Sequence, residues 1–415
     1  MGSSHDVIVI GAGAAGVGAG RALLARKLDF VVLEARDRIG GRAWTASCGT
    51  PFDLDLGCEW MHSADRNALA ELAPRLGVTI DKSEPAWRRR HLQRGFGHAE
   101  QDAFAAESDA FYARLEEAAA EARRTGRDRP ASELVDPAAR WSGFLDAVST
   151  YYNGAPLDRV SVIDFDAYLD TEVNWRAEGG YGALIARAAA GLPIRLGCPV
   201  GRVDATGRRL RVETASGTLE ADAVIVTVPS DVIAAGAIRF DPPLEAHVAA
   251  AAGLPLGLAD KVFFAMDAPD AFSPDTRLIG APERRDTGTY ALRSRGRPLV
   301  EGYFGGDYAR ELEAGGAAAF VAAATAEIRS ALGRDIAATL RPIAATAWGR
   351  DPLARGSYSH ALPGHAGARE ILRAPVDGRI LFAGEATSPR FFSTAHGAFE
   401  EGTRAAREIP ARRTA

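Results

Sequence analysis

Three stretches of this 415-residue chain put bare backbone or ionisable side chains where chemistry could use them. In HDVIVIGAGAAGVGAG (5–20) a short apolar run, Val7 to Ile10, ends in Gly11-x-Gly13-x-x-Gly16. Gly11 permits a tight turn, Gly13 lets backbone approach a pyrophosphate, and Gly16 lets the next helix pack closely on the strand. The helix start then offers its free N–H groups to phosphate. A second apolar run, Phe30 to Leu33, ends in Glu34, an acid placed to accept hydrogen bonds from ribose hydroxyls. Gly40-Gly41-Arg42 returns bare backbone and a guanidinium fork to the same crevice, which favours a cofactor held permanently. Glycine turns of this kind are common and serve NAD, NADP and FAD alike, but strand, helix and acid together indicate a dinucleotide. Near the other end, LFAGEATSPRFFSTAHGAFEEG (381–402) repeats the strand, turn and helix order around Gly384-Glu385, although alone it also reads as a surface turn. In LADKVFF (258–264), Lys261 interrupts an apparent strand. Either it lies exposed on an edge strand, or it is a buried ammonium, costly unless paired or functional and with its pKa lowered by burial.

The elements that must position these groups can be read coarsely. The length suggests two or three domains. Ala99 to Arg124 has alanine and charge at the spacing of an amphipathic surface helix. Strand-like runs at 261–266 and 299–304 precede the helical AAAFVAAATAEIRSALG, a mixture that suggests a sheet roofed by helices. Net charge is −5 and the longest basic stretch is Trp87–His91, so nucleic acid is not an expected partner. No apolar run approaches the roughly 20 residues of a membrane span. The first residues lack a cationic leader and run straight into the glycine turn, so a cytoplasmic location is expected. Cys48, Cys58 and Cys198 lack CxxC spacing and are expected to be small buried residues, with no disulfide and no metal site. No Ser/His/Asp or Cys/His nucleophilic set is evident.

Taken in order, GAGAAG…LEARDRIGGR, DLDLGCEWMH (53–62), CPVGRV, ADAVIVTVP (221–229), LADKVFF, WGRDPLARGSYSH (348–360) and the LFAGEA segment resemble the flavin-containing amine oxidases. That family includes the monoamine oxidases, polyamine oxidases and lysine-specific histone demethylases. The resemblance spans the whole chain and implies an α/β fold of amine oxidase architecture. A Rossmann-like, GR2-type FAD-binding domain would be assembled from 1–75, 179–238 and 349–415, with a discontinuous α+β substrate-binding domain from 76–178 and 239–348. Both ends of the chain would then build one FAD site. The resemblance assigns the ADP half to Gly11, Gly13, Ala15, Gly16, Glu34, Ala35, Arg36, Gly41 and Arg42, with Gly57 passing the flavin and Val200 touching adenine. Gly384, Glu385, Thr394 and Ala395 would take the ribityl and flavin end, where a helix start stabilises charge on the reduced ring.

By the same resemblance Lys261 would hold a water against flavin N5, and Tyr358 would form one wall of the amine cage, unless it is simply a half-buried tyrosine. Thr394 replaces the second tyrosine, so the pocket should admit a longer or bulkier amine. Ser357 stands where monoamine oxidases carry the cysteine that bonds to flavin, so the FAD should be non-covalent. Glu59 and His62 read equally as mouth residues or as an arginine partner and a turn cap, and Trp175 and Trp348 read as pocket walls or packing. The implied reaction is hydride transfer from an amine to FAD, hydrolysis of the imine to a carbonyl, and reoxidation by oxygen to hydrogen peroxide. Alternatives are an FAD desaturase or protoporphyrinogen-oxidase-like protein, an L-amino-acid oxidase, and a partner-binding module on a flavin scaffold. Oligomeric state, monomer or homodimer, is open.

Overall fold

A computed structural model describes residues 4–410 of the chain; the first three and last five residues of the outer FAD-domain segments lie outside it. Two large sheets organise the described residues. The first has a parallel centre in the order Ile380–Phe382, Gly217–Val226, Ser4–Ile10, Phe30–Leu33 and Ile194–Arg195. Its registers pair Val224 with both Ile8 and Ile380, so the N-terminal and C-terminal strands flank one central strand. Parallel strands covered on both faces must be apolar throughout, and Val7 to Ile10 are fully buried. Alternation then divides them: Ile8, Ile10, Val31 and Leu33 join one core, while Val7, Val9 and Val32 join another with Leu381. Val200–Asp204 and Leu210–Thr214 extend this sheet antiparallel, and Arg239–Asp241 closes that edge.

The helix after the glycine turn, Ala14–Ala25, packs on the last helix, Ala395–Glu408. Glycine makes that contact possible, because a Cβ at Gly402 would stand 1.8 Å from the Ala15 carbonyl oxygen. Likewise a Cβ at Gly18 would stand 2.2 Å from the Phe399 carbonyl oxygen. Arg26 ties the same ends together by donating to the carbonyls of Ala406 and Ile409.

The second sheet runs Leu340–Ala345, Ala259–Met266, Leu299–Gly305, Thr289–Leu292, Thr276–Ile279 and Gln93–Arg94. One face is apolar: Val262, Phe264, Val300, Leu292 and Leu278 pack with Phe320, Ala324 and Ile328 of the helix Ala317–Leu332. Period-two alternation puts Lys261, Phe263, Glu301, Tyr303, Thr289 and Arg277 on the other face, in registers that align Lys261–Tyr303–Thr289 and Phe263–Glu301–Ala291–Arg277. This polar face is the wall of the candidate site. The helix expected over 99–124 spans His98–Thr125 and buries only Phe111, Leu115 and three alanines, as an amphipathic surface helix should.

Two details differ from the sequence reading. Arg239–Asp241 bonds to the first sheet, and Ala250, Ala251 and Leu254 enter its core, so the chain leaves that layer after Leu254 rather than at residue 238. Of the three cysteines only Cys198 is buried; Cys58 is half-buried, and Cys48 is exposed in a turn with φ of 48°.

Candidate active site

The crevice beyond the ends of the parallel strands has the shape and chemistry of a dinucleotide groove. Gly11 has φ of +105°, and a Cβ at Gly16 would lie 1.9 Å from the Gly11 carbonyl oxygen, so the turn and the helix close on each other only as glycines. Gly13 caps the helix without a side-chain hydrogen bond, and Gly13 bridges to Gly40 beside Gly41. First-turn N–H groups are thus left for an anion. Ala15 lies beneath, against Gly402. Glu34 is buried, its two oxygens accepting from the N–H groups of Ala12 (2.7 Å) and Arg36 (2.8 Å), which orients each remaining lone pair for a hydroxyl. Half-buried Ala35 follows, and Cys198 N–H donates to the Glu34 carbonyl at 2.8 Å, bringing Val200 to this end of the groove. Arg36 pairs with Asp351 at 2.6 Å, across 315 residues of chain.

Arg42 is where the segments converge. Its guanidinium donates to the Ser357 carbonyl at 2.6 Å and to Glu385 at 3.0 Å. Gly57 lets a neighbouring loop lie against it, since a Cβ there would stand 1.8 Å from the Arg42 carbonyl oxygen. Glu385 also accepts from the Ser359 hydroxyl (2.6 Å) and the Ser393 N–H (2.9 Å). Burial alone would raise the Glu385 carboxyl, but Arg42 and Ser359 hold it below its ordinary value. Next to it, the side-chain direction of Gly384 opens on empty space, with no atom within 4 Å of a Cβ built there. A bare cradle at one strand end, uncapped helix N–H groups at another and a carboxylate between them fit an FAD-sized dinucleotide.

Lys261 lies on a strand paired on both sides, by Leu299–Gly305 and Leu340–Ala345, and is 6% exposed, which decides for the buried reading. Its ammonium reaches Glu301 at 2.6 Å, the Asp55 carbonyl at 3.0 Å and Glu59 at 3.3 Å. Burial pulls its pKa down, yet Glu301 and Glu59 outweigh that and hold Lys261 above its ordinary value. The sequence expectation of a depressed lysine is therefore reversed, because two carboxylates from other segments meet it. Burial and Glu59 push the Glu301 carboxyl up to about 7. Glu59, opposed by burial, is drawn down to about 2 by Lys261, Arg295 and Arg176. The two carboxyls share one ammonium, and Glu59 has the extra arginines at 3.8 and 3.9 Å, so Glu301 holds the last proton of the pair.

Tyr358 meets the same wall. Its hydroxyl lies 2.8 Å from that of Tyr303, the residue paired with Lys261, and donates to the Tyr151 carbonyl at 2.5 Å. Ser357 fastens this segment to the lysine strand through Ala259, accepting from its N–H (2.9 Å) and donating to its carbonyl (2.8 Å). Glu301, Tyr303 and Tyr151 were not singled out from the sequence. The available signal was the alternation of Glu301 and Tyr303 with Val300, Gly302 and Phe304.

The remaining residues separate into groups. Thr394 caps the last helix, accepting from Gly397 N–H (3.0 Å) and donating to the Phe391 carbonyl (2.6 Å), with Ala395 as the first helical residue. Its hydroxyl is thus committed to the cap. His62 bonds Asn174 at 2.6 Å, and burial lowers its pKa; burial and His62 push His396 down to about 3. Trp175 lies half-buried under the Lys82 ammonium, 4.3 Å from the ring centre. Trp348 is a buried strut, donating to the Leu56 carbonyl at 3.1 Å and meeting Trp44 edge-on.

A parallel sheet with a glycine-rich dinucleotide groove, joined to a second sheet that presents a buried lysine and tyrosines, defines the flavin-dependent oxidoreductase class. The model of a family described as flavin containing amine oxidoreductase matches residues 84–410, and one described as an NAD(P)-binding Rossmann-like domain matches residues 9–76. The chain belongs to the flavin-containing amine oxidoreductases, and its cofactor is FAD. It is 30% identical to polyamine oxidase 4 of Oryza sativa subsp. japonica, over 98% of this chain and 88% of that protein. It is 28% identical to human lysine-specific histone demethylase 2, over 98% of this chain and 54% of that one. Wild-type putrescine oxidase bound to putrescine superimposes with a TM-score of 0.81 at 21% identity, covering 99% of both chains, a likeness of fold. No helix among the described residues is long and apolar enough to cross a membrane.

Proposed function

We propose that the chain oxidises a small-molecule amine at the junction of the two sheets. The observation that carries this reading is the convergence of Lys261, Tyr303 and Tyr358 on a wall tied, through Ser357 and Arg42, to the dinucleotide groove. When bound, FAD supplies the acceptor for a hydride from the amine α-carbon, and molecular oxygen restores it with release of hydrogen peroxide. The protein's own residues supply placement and charge. Tyr358, held by Tyr303 and Tyr151, is a fixed face against which a neutral amine rests. Lys261 stays an ammonium between Glu59 and Glu301, so it orients a water and supplies positive charge and does not act as a base. Water held there hydrolyses the imine to a carbonyl. In this reading the FAD domain comprises the first sheet with its helices up to about residue 254, and the substrate domain is built on the second.

The flavin is held without a covalent bond, since Ser357 offers no thiol and its hydroxyl is engaged by Ala259. The protein works in the cytoplasm. The test is an anaerobic screen of amines for bleaching of the bound flavin, followed by admission of air with a peroxide assay. Bleaching by at least one amine and recovery in air are expected; a flavin that no amine reduces overturns the reading. Acid precipitation should release free yellow FAD, and colour retained by the pellet would refute the non-covalent attachment.

A further inference from the structure

The candidate wall carries one cation that the amine chemistry leaves unused. Arg277 projects from the strand Thr276–Ile279 on the same sheet face as Lys261, in the row Phe263–Glu301–Ala291–Arg277. Among the described residues, no carboxylate lies within ion-pair distance of it. Nearby arginines differ: Arg89 pairs with Asp275 at 3.2 Å, Arg176 with Asp81 at 2.9 Å, and Arg295 lies 3.8 Å from Glu59. Among the described residues, the only hydrogen bond the Arg277 side chain makes is from Nε to the Thr289 hydroxyl, 3.2 Å away. Its terminal nitrogens have no partner among the described residues, yet they are not among the sealed, unsatisfied atoms of the interior, so they face open space. Trp87 lies beneath the guanidinium, 5.9 Å from its ring centre. Burial lowers the Arg277 pKa, and only Tyr152 and Tyr151 oppose it.

Tyr151 connects this cation to the reacting end: its carbonyl accepts from Tyr358 and its ring stacks edge-on with Tyr303 at 6.0 Å. A guanidinium half-buried among aromatic rings, with free fork donors and no counter-ion, is costly unless a ligand supplies the anion. Resting on the amine-oxidation reading, we propose that Arg277 selects the substrate: an amine whose far end carries a carboxylate or similar anion. Drawn back over Thr289, the guanidinium lies about two strand spacings, roughly 10 Å, from the lysine strand. An α-amino acid, whose carboxylate sits one bond from the reacting carbon, does not span that distance. A chain with the amine at one end and the anion at the other does. A diamine of the same length would bring a second cation against Arg277.

The test uses the FAD-loaded protein with ω-amino carboxylates of graded length, diamines of matching length, and straight-chain alkanoates that have no amine to oxidise. Wild type should favour an amino carboxylate over its matched diamine. Arg277→Gln should lower that ratio ten- to hundredfold, mostly through KM, as expected for loss of one charge-assisted pair, and Arg277→Lys should restore part of it. Alkanoate binding, read as a flavin difference spectrum or as quenching of tryptophan fluorescence, should weaken in parallel in Arg277→Gln. A wild-type preference for diamines, or an amino-carboxylate to diamine ratio unchanged in Arg277→Gln, overturns the proposal. If no amine reduces the flavin while alkanoates still bind through Arg277, the oxidation reading fails and the anion site stands.

Discussion

The buried trio of Glu59, Lys261 and Glu301 makes two superficially similar substitutions behave oppositely with pH. Replacing Glu301 by Gln removes a carboxyl whose value rises from 4.5 to about 7 on folding. A carboxyl raised by folding favours the native state fully below 4.5 and loses that advantage as pH climbs through 7. Over this span the loss is about 3 kcal/mol, at about 1.4 kcal/mol for each pH unit, and the group is only 12% exposed, so solvent screens little of it. The amide cannot ionise, so Glu301→Gln should gain on wild type by up to about 3 kcal/mol between pH 4.5 and 8. Glu59 runs the other way. Folding draws it from 4.5 to about 2, which stabilises the native state above 4.5 and is lost as pH falls through 2. Glu59→Gln should therefore be less stable than wild type at neutral pH and converge with it in acid. Urea unfolding followed by circular dichroism at several pH values from 2 to 8 measures both slopes. Parallel pH profiles for Glu301→Gln and wild type would refute the claim that Glu59 and Glu301 share one ammonium unequally.

Three other outcomes follow from the geometry. Lys261→Met should slow flavin reduction or reoxidation by tenfold or more in stopped-flow while FAD stays bound, and unchanged rates in both half-reactions would remove Lys261 from the mechanism. Gly402→Val should abolish FAD retention and destabilise the chain by more than about 3 kcal/mol, because even its first side-chain carbon collides with the Ala15 carbonyl 1.8 Å away. His360 is 3% exposed with both ring nitrogens unpartnered, and burial pushes it from 6.5 down to about 4. Its stabilising contribution is present above 6.5 and lost as pH falls toward 4, so His360→Leu should unfold at a lower pH than wild type in an acid titration, and identical midpoints would refute this.

The glycine turn, the acid at Glu34 and the unbroken apolar strands were legible because backbone chemistry alone dictates those residues. So was the joining of the two ends, through the family resemblance. What escaped were facts of register. Pairing Phe263 with Glu301, and Lys261 with Tyr303, joins strands some 40 residues apart, and local composition does not fix such a pairing. Hence the lysine was expected to be depressed by burial, whereas carboxylates from two distant segments raise it. Thr394 was expected, by the family resemblance, to leave a gap in an aromatic cage; what the structure adds is that its hydroxyl serves the helix start, as threonine at that position commonly does. Arg277 carries no local signal, since nothing in TRLI indicates which arginine lacks a partner.

The interlocked helices at the two ends also constrain the order of biogenesis. The strand Gly217–Val226 and the helix Ala14–Ala25 gain their final neighbours only from Ile380–Phe382 and Ala395–Glu408. During translation the first glycine turn must therefore wait, with its apolar helix face uncovered, until more than 380 further residues have left the ribosome. The helical and second-sheet segments can assemble meanwhile, so nascent chains stalled before Ala395 should be clients for holdase chaperones and unable to take up the vitamin-derived cofactor.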